Sequence, residues 1–131
     1  MKKVCDANVV LRYLMHDDEE MYKKADKIIK MSPNVPLLVL SEVIYVLKGI
    51  YRIPREEITN SLIALSNETI YEDNDLVLLA LNIFKKYNLD FVDCYLFARK
   101  QLYDDEVITF DKKLNNKLVS KQNTNKHRNY V

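Results

Sequence analysis

Short apolar runs alternate with stretches of helical period along this chain. Val4 and Cys5 make a brief buried-strand pattern that ends in Asp6, and Val9, Val10, Tyr13 and Leu14 then recur at helical spacing. The polar break His16 to Glu20 leads into a second helix reaching about Met31, with Met21, Ala25, Ile28 and Ile29 on one face. Pro36-Leu37-Leu38-Val39-Leu40 is a continuous apolar run, the pattern of a parallel strand covered on both faces. Ser41-Glu42 follows it, and Val43, Val46, Leu47 and Ile50 form the stripe of another helix. Pro54 opens a helix with Ile58, Leu62 and Leu65 facing inward, and Thr69 to Tyr71 reads as a short strand. Glu72 to Asp75 starts the most regular helical period, Leu76, Leu79, Ala80, Ile83 and Phe84. Asp90-Phe91-Val92-Asp93 opens a helix to about Tyr103, with the two acids spaced as in a capping box. Val107 to Phe110 reads as a strand, and Asp111 begins a last helix to about Val119. Strands alternating with helices predict an α/β fold with a mostly parallel sheet.

A length of 131 residues suits one domain spanning the whole chain, and 48% hydrophobic residues suffice for a real core. One Gly leaves no glycine-rich phosphate loop. No apolar run approaches the roughly 20 residues of a membrane span. Lys2 and Lys3 are not followed by an apolar segment, because Asp6 and Arg12 interrupt it, so no signal peptide is expected. Cys5 and Cys94 make neither a disulfide framework nor a zinc motif. These features predict a soluble, cytoplasmic, reduced protein. The net charge of +1 hides an asymmetry: six Lys/Arg and no acid follow from Lys112 onward, leaving 14 basic against 19 acidic residues before it. An acidic body with a basic tail attracts cations and polyanions at different places.

The acids fall at informative positions. Asp6, Glu42 and Asp111 each follow a predicted strand, and Asp93 lies in the first turn of the helix that leads to the last strand. In open parallel sheets, ligands sit outside the carboxyl ends of the strands. Taken singly, each acid also suits a helix start. Taken together, four carboxylates at one edge repel one another or raise their pKa values. A hard divalent ion relieves that repulsion, and Mg²⁺ or Mn²⁺ takes such oxygen ligands. The donor set argues against zinc. A carboxylate-held Mg²⁺ suits phosphoryl chemistry.

Cys5-Asp6-Ala7-Asn8-Val9-Val10-Leu11-Arg12-Tyr13-Leu14, followed by Asp17-Asp18, resembles the opening of PIN-domain ribonucleases, most nearly the VapC-type toxins of toxin–antitoxin pairs. Leu40-Ser41-Glu42-Val43 resembles that family's second acidic motif, Leu89-Asp90-Phe91-Val92-Asp93-Cys94 the third and Thr109-Phe110-Asp111 the fourth. The resemblance implies a three-layer α/β/α sandwich around a parallel sheet. It implies a Mg²⁺- or Mn²⁺-dependent endoribonuclease whose metal-binding and catalytic acids are Asp6, Glu42, Asp93 and Asp111. Asn8 and Thr109 fall where the family places supporting polar residues, whereas Ala7 and Cys94 depart from its usual hydroxyl residue and Ala. The implied partners are an RNA substrate, a cognate protein antitoxin and a second copy of the chain.

Other readings compete. A receiver-type signalling domain needs an acidic pair after strand one, a phosphoacceptor Asp after strand three and a Lys after strand five. Here strand one ends in a single acid, and Asp111 follows the last strand. An Asp6-centred phosphatase needs a second acid two residues on, where Asn8 stands. A PIN-like module that binds RNA or protein without cutting is a further alternative. His16 and His127 lie too far apart in sequence to suggest a paired-histidine mechanism. Cys5 and Cys94 read as core residues. Arg12, Lys48, Arg52, Arg99, Lys112 and Lys113 lie near the acidic motifs and are candidate phosphate contacts, or ordinary solvated charges.

Overall fold

Three chain segments run parallel, and Asn34 is paired on both sides. In the computed structural model, which describes residues 1–119, β1 (Asn34–Val35) pairs with β2 (Ile70–Tyr71) in the register Asn34 to Ile70 and Val35 to Tyr71. On the other side Val4 bridges Asn34, also in parallel. The Cys5 N–H donates to the Asn34 carbonyl at 3.1 Å, and the Asn34 N–H donates to the Lys3 carbonyl at 2.8 Å. The basic tail beyond Lys117, including His127, lies mostly outside the described residues, which end at Val119.

Helices surround this small ladder: α1 (Ala7–Met15), α2 (Glu19–Ile29), α3 (Leu37–Tyr45), α4 (Arg55–Leu65), α5 (Asn74–Lys86), α6 (Phe91–Tyr103) and α7 (residues 112–119). The fold is therefore α/β but mostly helical, with a small parallel sheet. Four of the helices start on an aspartate cap. Asp6, Asp18 and Asp73 sit at N-caps and accept from the backbone N–H of Val9, Met21 and Leu76 at 3.1, 3.1 and 3.4 Å. Asp111 does the same for α7, accepting from Leu114 N–H at 2.8 Å.

Two expected strands are absent. Pro36 to Leu40 is not a strand: Pro36 stands at the N-cap and Leu37 already begins α3. A short apolar run does not distinguish a buried strand from a buried helix by period, and its leucines favour the helix. Leu40, Val43, Ile44 and Leu47 are buried at helical spacing, while Leu38 is 84% exposed. The true strand is the Asn34–Val35 pair just before that run. Val107 to Phe110 also forms no ladder among the described residues. It keeps a two-residue alternation, with Val107 and Thr109 half-buried and Ile108 and Phe110 exposed at 87% and 104%. Alternation fixes which side faces the core, but a strand also needs a partner edge.

α3 runs on into a wider π-helical turn, Val46–Ile50. Such turns interrupt regular helix and often mark functional sites. The α5–α6 corner is held by aromatic packing, Phe84 on Phe91 edge to face at 6.3 Å and Tyr87 stacked on Phe97 at 5.9 Å. Arg55 locks it from α4. One guanidinium nitrogen donates to the carbonyls of Phe84, Tyr87 and Leu89 at 3.0, 2.8 and 2.8 Å, and the group lies 4.2 Å above the Phe84 ring. The Phe84 and Tyr87 carbonyls belong to the end of α5, where no further turn supplies donors, and Leu89 lies in the corner beyond it. Tyr71 ties β2 to α4 through its hydroxyl, which donates to the Leu62 carbonyl at 2.6 Å. Among the described residues every buried side-chain polar atom has a partner.

Replacing Arg55 by Ala is expected to lower the unfolding free energy by about 2–3 kcal/mol, since charged hydrogen bonds are lost and carbonyls stranded. Urea titration measures it. A Lys at this position lacks the planar fork and should recover only part of the loss; a full recovery would show that charge alone matters.

Candidate active site

The four sequence-derived acids sit on four different elements. Asp6 caps α1 at the end of the Val4–Cys5 segment and is exposed. Asp111 caps α7 and is exposed, with its own N–H donating to the Thr109 hydroxyl at 3.0 Å. Asn115 adds a bond from its amide to the Thr109 carbonyl at 3.1 Å. Thr109 thus orients the start of α7, and with it Asp111. Glu42 lies in the body of α3, exposed, and not at the end of a strand as the sequence suggested. The reason is the early start of α3: the chain turns helical at Leu37, so Glu42 stands more than a turn beyond the strand end. Asn8 is exposed in the first turn of α1.

Asp93, in the first turn of α6, is the half-buried member. Its carboxyl is held above the usual aspartate range, first by burial, then by the negative charges of Asp111 and Asp90; Lys113 opposes the shift. Asp93, Asp111, Asp90 and Lys113 therefore lie within electrostatic range of one another. No hydrogen bond joins Asp6 or Glu42 to this group among the described residues. Nor do three acid, His or Cys side chains there approach closely enough to share one metal ion. Like charges keep their distance, and two of the four acids each give an oxygen to a helix cap.

The donor chemistry nevertheless fits a hard divalent cation. All four groups are carboxylates, and none forms an ion pair with a Lys or Arg among the described residues. Among the described residues no three of them are grouped to hold one ion.

The basic candidates divide. Arg12 pairs with Asp17 at 3.5 Å, and Arg99 pairs with Asp105 at 2.6 Å between the rings of Tyr95 and Tyr103. Both are engaged in surface pairs. Lys113 is the candidate whose charge reaches Asp93. His16 stacks on Tyr22 at 3.5 Å and bonds Glu19 at 2.7 Å, so it is occupied structurally. Cys5 and Cys94 are buried free thiols, and burial pushes Cys94 up to about 12, far from a reactive thiolate.

Two acids escaped the sequence reading. Glu72 looked like a starter of its own helix, but its carboxylate accepts from the Leu37 N–H of α3 at 3.3 Å. Asp90 looked like half of a capping box, yet at the N-cap of α6 its side chain makes no capping bond. Its neighbour at the third position being another acid was the available signal, since two carboxylates at one helix start repel.

A PIN domain model matches residues 3–117 of the chain. No curated protein matches it. Among the described residues no helix is long and apolar enough to cross a membrane.

The raised Asp93 pKa gives a stability signature. A carboxyl whose pKa is higher in the folded state favours folding most below its unfolded value and loses that contribution as pH rises through the folded value. In metal-free buffer, Asp93→Asn should therefore raise the thermal midpoint at pH 7, and the gain should vanish below about pH 4. An equal gain at both pH values would contradict the electrostatic origin.

Proposed function

The chain belongs to the PIN domain family, whose members are generally nucleases, and from that premise we propose that it is a divalent-metal-dependent endoribonuclease. The observation that carries the reading is Asp93, a half-buried carboxylate held against Asp111 and Asp90 with Lys113 beside it. A carboxylate placed at such a disadvantage is characteristic of sites built for chemistry rather than for stability.

Asp6, Glu42, Asp93 and Asp111 would hold Mg²⁺ or Mn²⁺. A bound ion of that kind lowers the pKa of a water and offsets charge on a leaving oxygen. The chain's own groups do the rest. Asp93 would accept a hydrogen bond from the attacking water and orient it. Lys113 supplies positive charge beside Asp93 for a phosphate oxygen. Thr109 keeps Asp111 in place through the start of α7, and Asn8 offers an amide beside Asp6. In-line attack of water on the phosphodiester breaks the bond to the 3′ oxygen and leaves a 5′-phosphate.

The finer reading follows the resemblance. The protein is the toxin of a type II toxin–antitoxin pair, acting in the cytoplasm as a single-domain homodimer. A protein antitoxin silences it by placing an arginine among the acids. The finer fold reading is the family's three-layer α/β/α sandwich around a parallel sheet. Family membership favours this over a receiver or phosphatase. A second reading, a PIN-like module that binds without cutting, draws support from the spacing of the acids, which brings no three together.

An RNA cleavage assay with added Mn²⁺ separates the two. Wild type should cut, excess EDTA should abolish cutting, and Asp93→Asn should slow it by about 10²-fold or more. Cleavage that persists in EDTA, or that Asp93→Asn leaves unchanged, contradicts the proposal.

A further inference from the structure

A cavity of about 340 Å³ opens between α3, the π-helical turn and the start of α6. Ile44, Phe84 and Phe91 are its buried apolar wall, and Tyr45, 73% exposed, stands at its edge. Lys48 and Asp90 are its charged groups. The volume is at the lower end of small-molecule sites, about 300–1,000 Å³, and the make-up is theirs too: mostly apolar with a few polar groups.

We infer that this cavity receives one base of the RNA, and that the base it selects is guanine. The inference rests on the nuclease reading for the source of the base, but its argument is the cavity's own chemistry. Tyr45, the exposed aromatic at the rim, takes any base by stacking, while Phe84 and Phe91, packed on each other and with Arg55 over Phe84, serve as apolar wall. The polar groups then choose among bases. Asp90 is the chooser. Asp6, Asp18, Asp73 and Asp111 each spend a carboxylate oxygen on a first-turn N–H of the helix they cap, whereas Asp90 does not. Neither Asp90 nor Lys48 has an ion-pair partner among the described residues, although both line one cavity.

An ionised carboxylate only accepts hydrogen bonds, through two oxygens side by side. Guanine alone presents two adjacent donors to match, its ring N1–H and its exocyclic amine. Adenine and cytosine place an acceptor beside the amine, and uracil flanks its one N–H with two carbonyls. Lys48 gives the cation that the nucleotide's phosphate needs. Asp90 and Asp93 stand at i and i+3 at the start of α6, on one side of the helix, so the phosphate next to a base seated here lies toward Asp93.

The only glycine of the chain, Gly49, lines the same cavity, which makes its amide an unambiguous reporter in a ¹H–¹⁵N spectrum. The full chain is titrated with the 5′-monophosphates of guanosine, adenosine, cytidine and uridine, and with ribose 5-phosphate as control. The Gly49 signal should shift saturably with the guanosine nucleotide, about tenfold or more tighter than with the other three. Asp90→Asn should erase that preference, and Tyr45→Ala, at an exposed position, should weaken all four. The inference is overturned if no nucleotide moves Gly49, or if ribose 5-phosphate does so equally well. A shift that follows protein concentration instead assigns the cavity to a second copy and overturns it too. Guanosine binding in a protein that cuts no RNA under the conditions above defeats the nuclease reading and leaves the subsite standing. Cleavage without any Gly49 shift defeats the subsite alone.

Discussion

A carboxylate drawn partly out of water beside two others is held there against its own charge, and Asp93 is in that position. The surrounding structure makes it stay. Asp93 is carried by the first turn of α6, whose Phe91 packs on Phe84 and whose Phe97 stacks on Tyr87 of the preceding corner. Arg55 fastens that corner by donating to the carbonyls of Phe84, Tyr87 and Leu89. Asp111 cannot swing away freely, because Thr109 and the first turn of α7 fix its backbone and one of its oxygens. The core thus supplies the rigidity that a cluster of like charges cannot supply for itself.

Much of this was legible in the sequence, and the failures have physical causes. The helical periods of α1, α2, α4, α5 and α6 were plain because each has an apolar stripe with an acid at its start. The strand at Ile70–Tyr71 was legible too, though its partner Asn34–Val35 was not. The Pro36 to Leu40 run misled because an apolar stretch shorter than two turns has no period to read. That error displaced Glu42 from a strand end into a helix. The 107–110 segment shows the converse: its alternation is present, but pairing depends on a neighbour that no local pattern contains. Asp6, Asp93 and Asp111 were placed at element starts correctly. Which charges meet there was beyond local pattern, because it depends on how α6 and α7 approach.

Asp90 links the two halves of the account. It adds to the field on Asp93 and it lines the cavity between α3 and α6. One acid acting on both the reacting phosphate and an adjacent base would couple recognition to chemistry. The π-helical turn contributes to the same place, since Lys48 and Gly49 reach the cavity from it. A regular continuation of α3 would carry these residues elsewhere on the helix surface.

The proposed function requires Asp6, Glu42, Asp93 and Asp111 to bind one divalent ion together, although among the described residues no three of them are grouped to share one. Calorimetric titration of Mn²⁺ into the wild type and into Asp6→Asn, Glu42→Gln, Asp93→Asn and Asp111→Asn tests it most directly. Saturable binding is expected, weakened about tenfold or more by each of the four substitutions. Absence of saturable binding, or substitutions that leave it at wild-type strength, would contradict it.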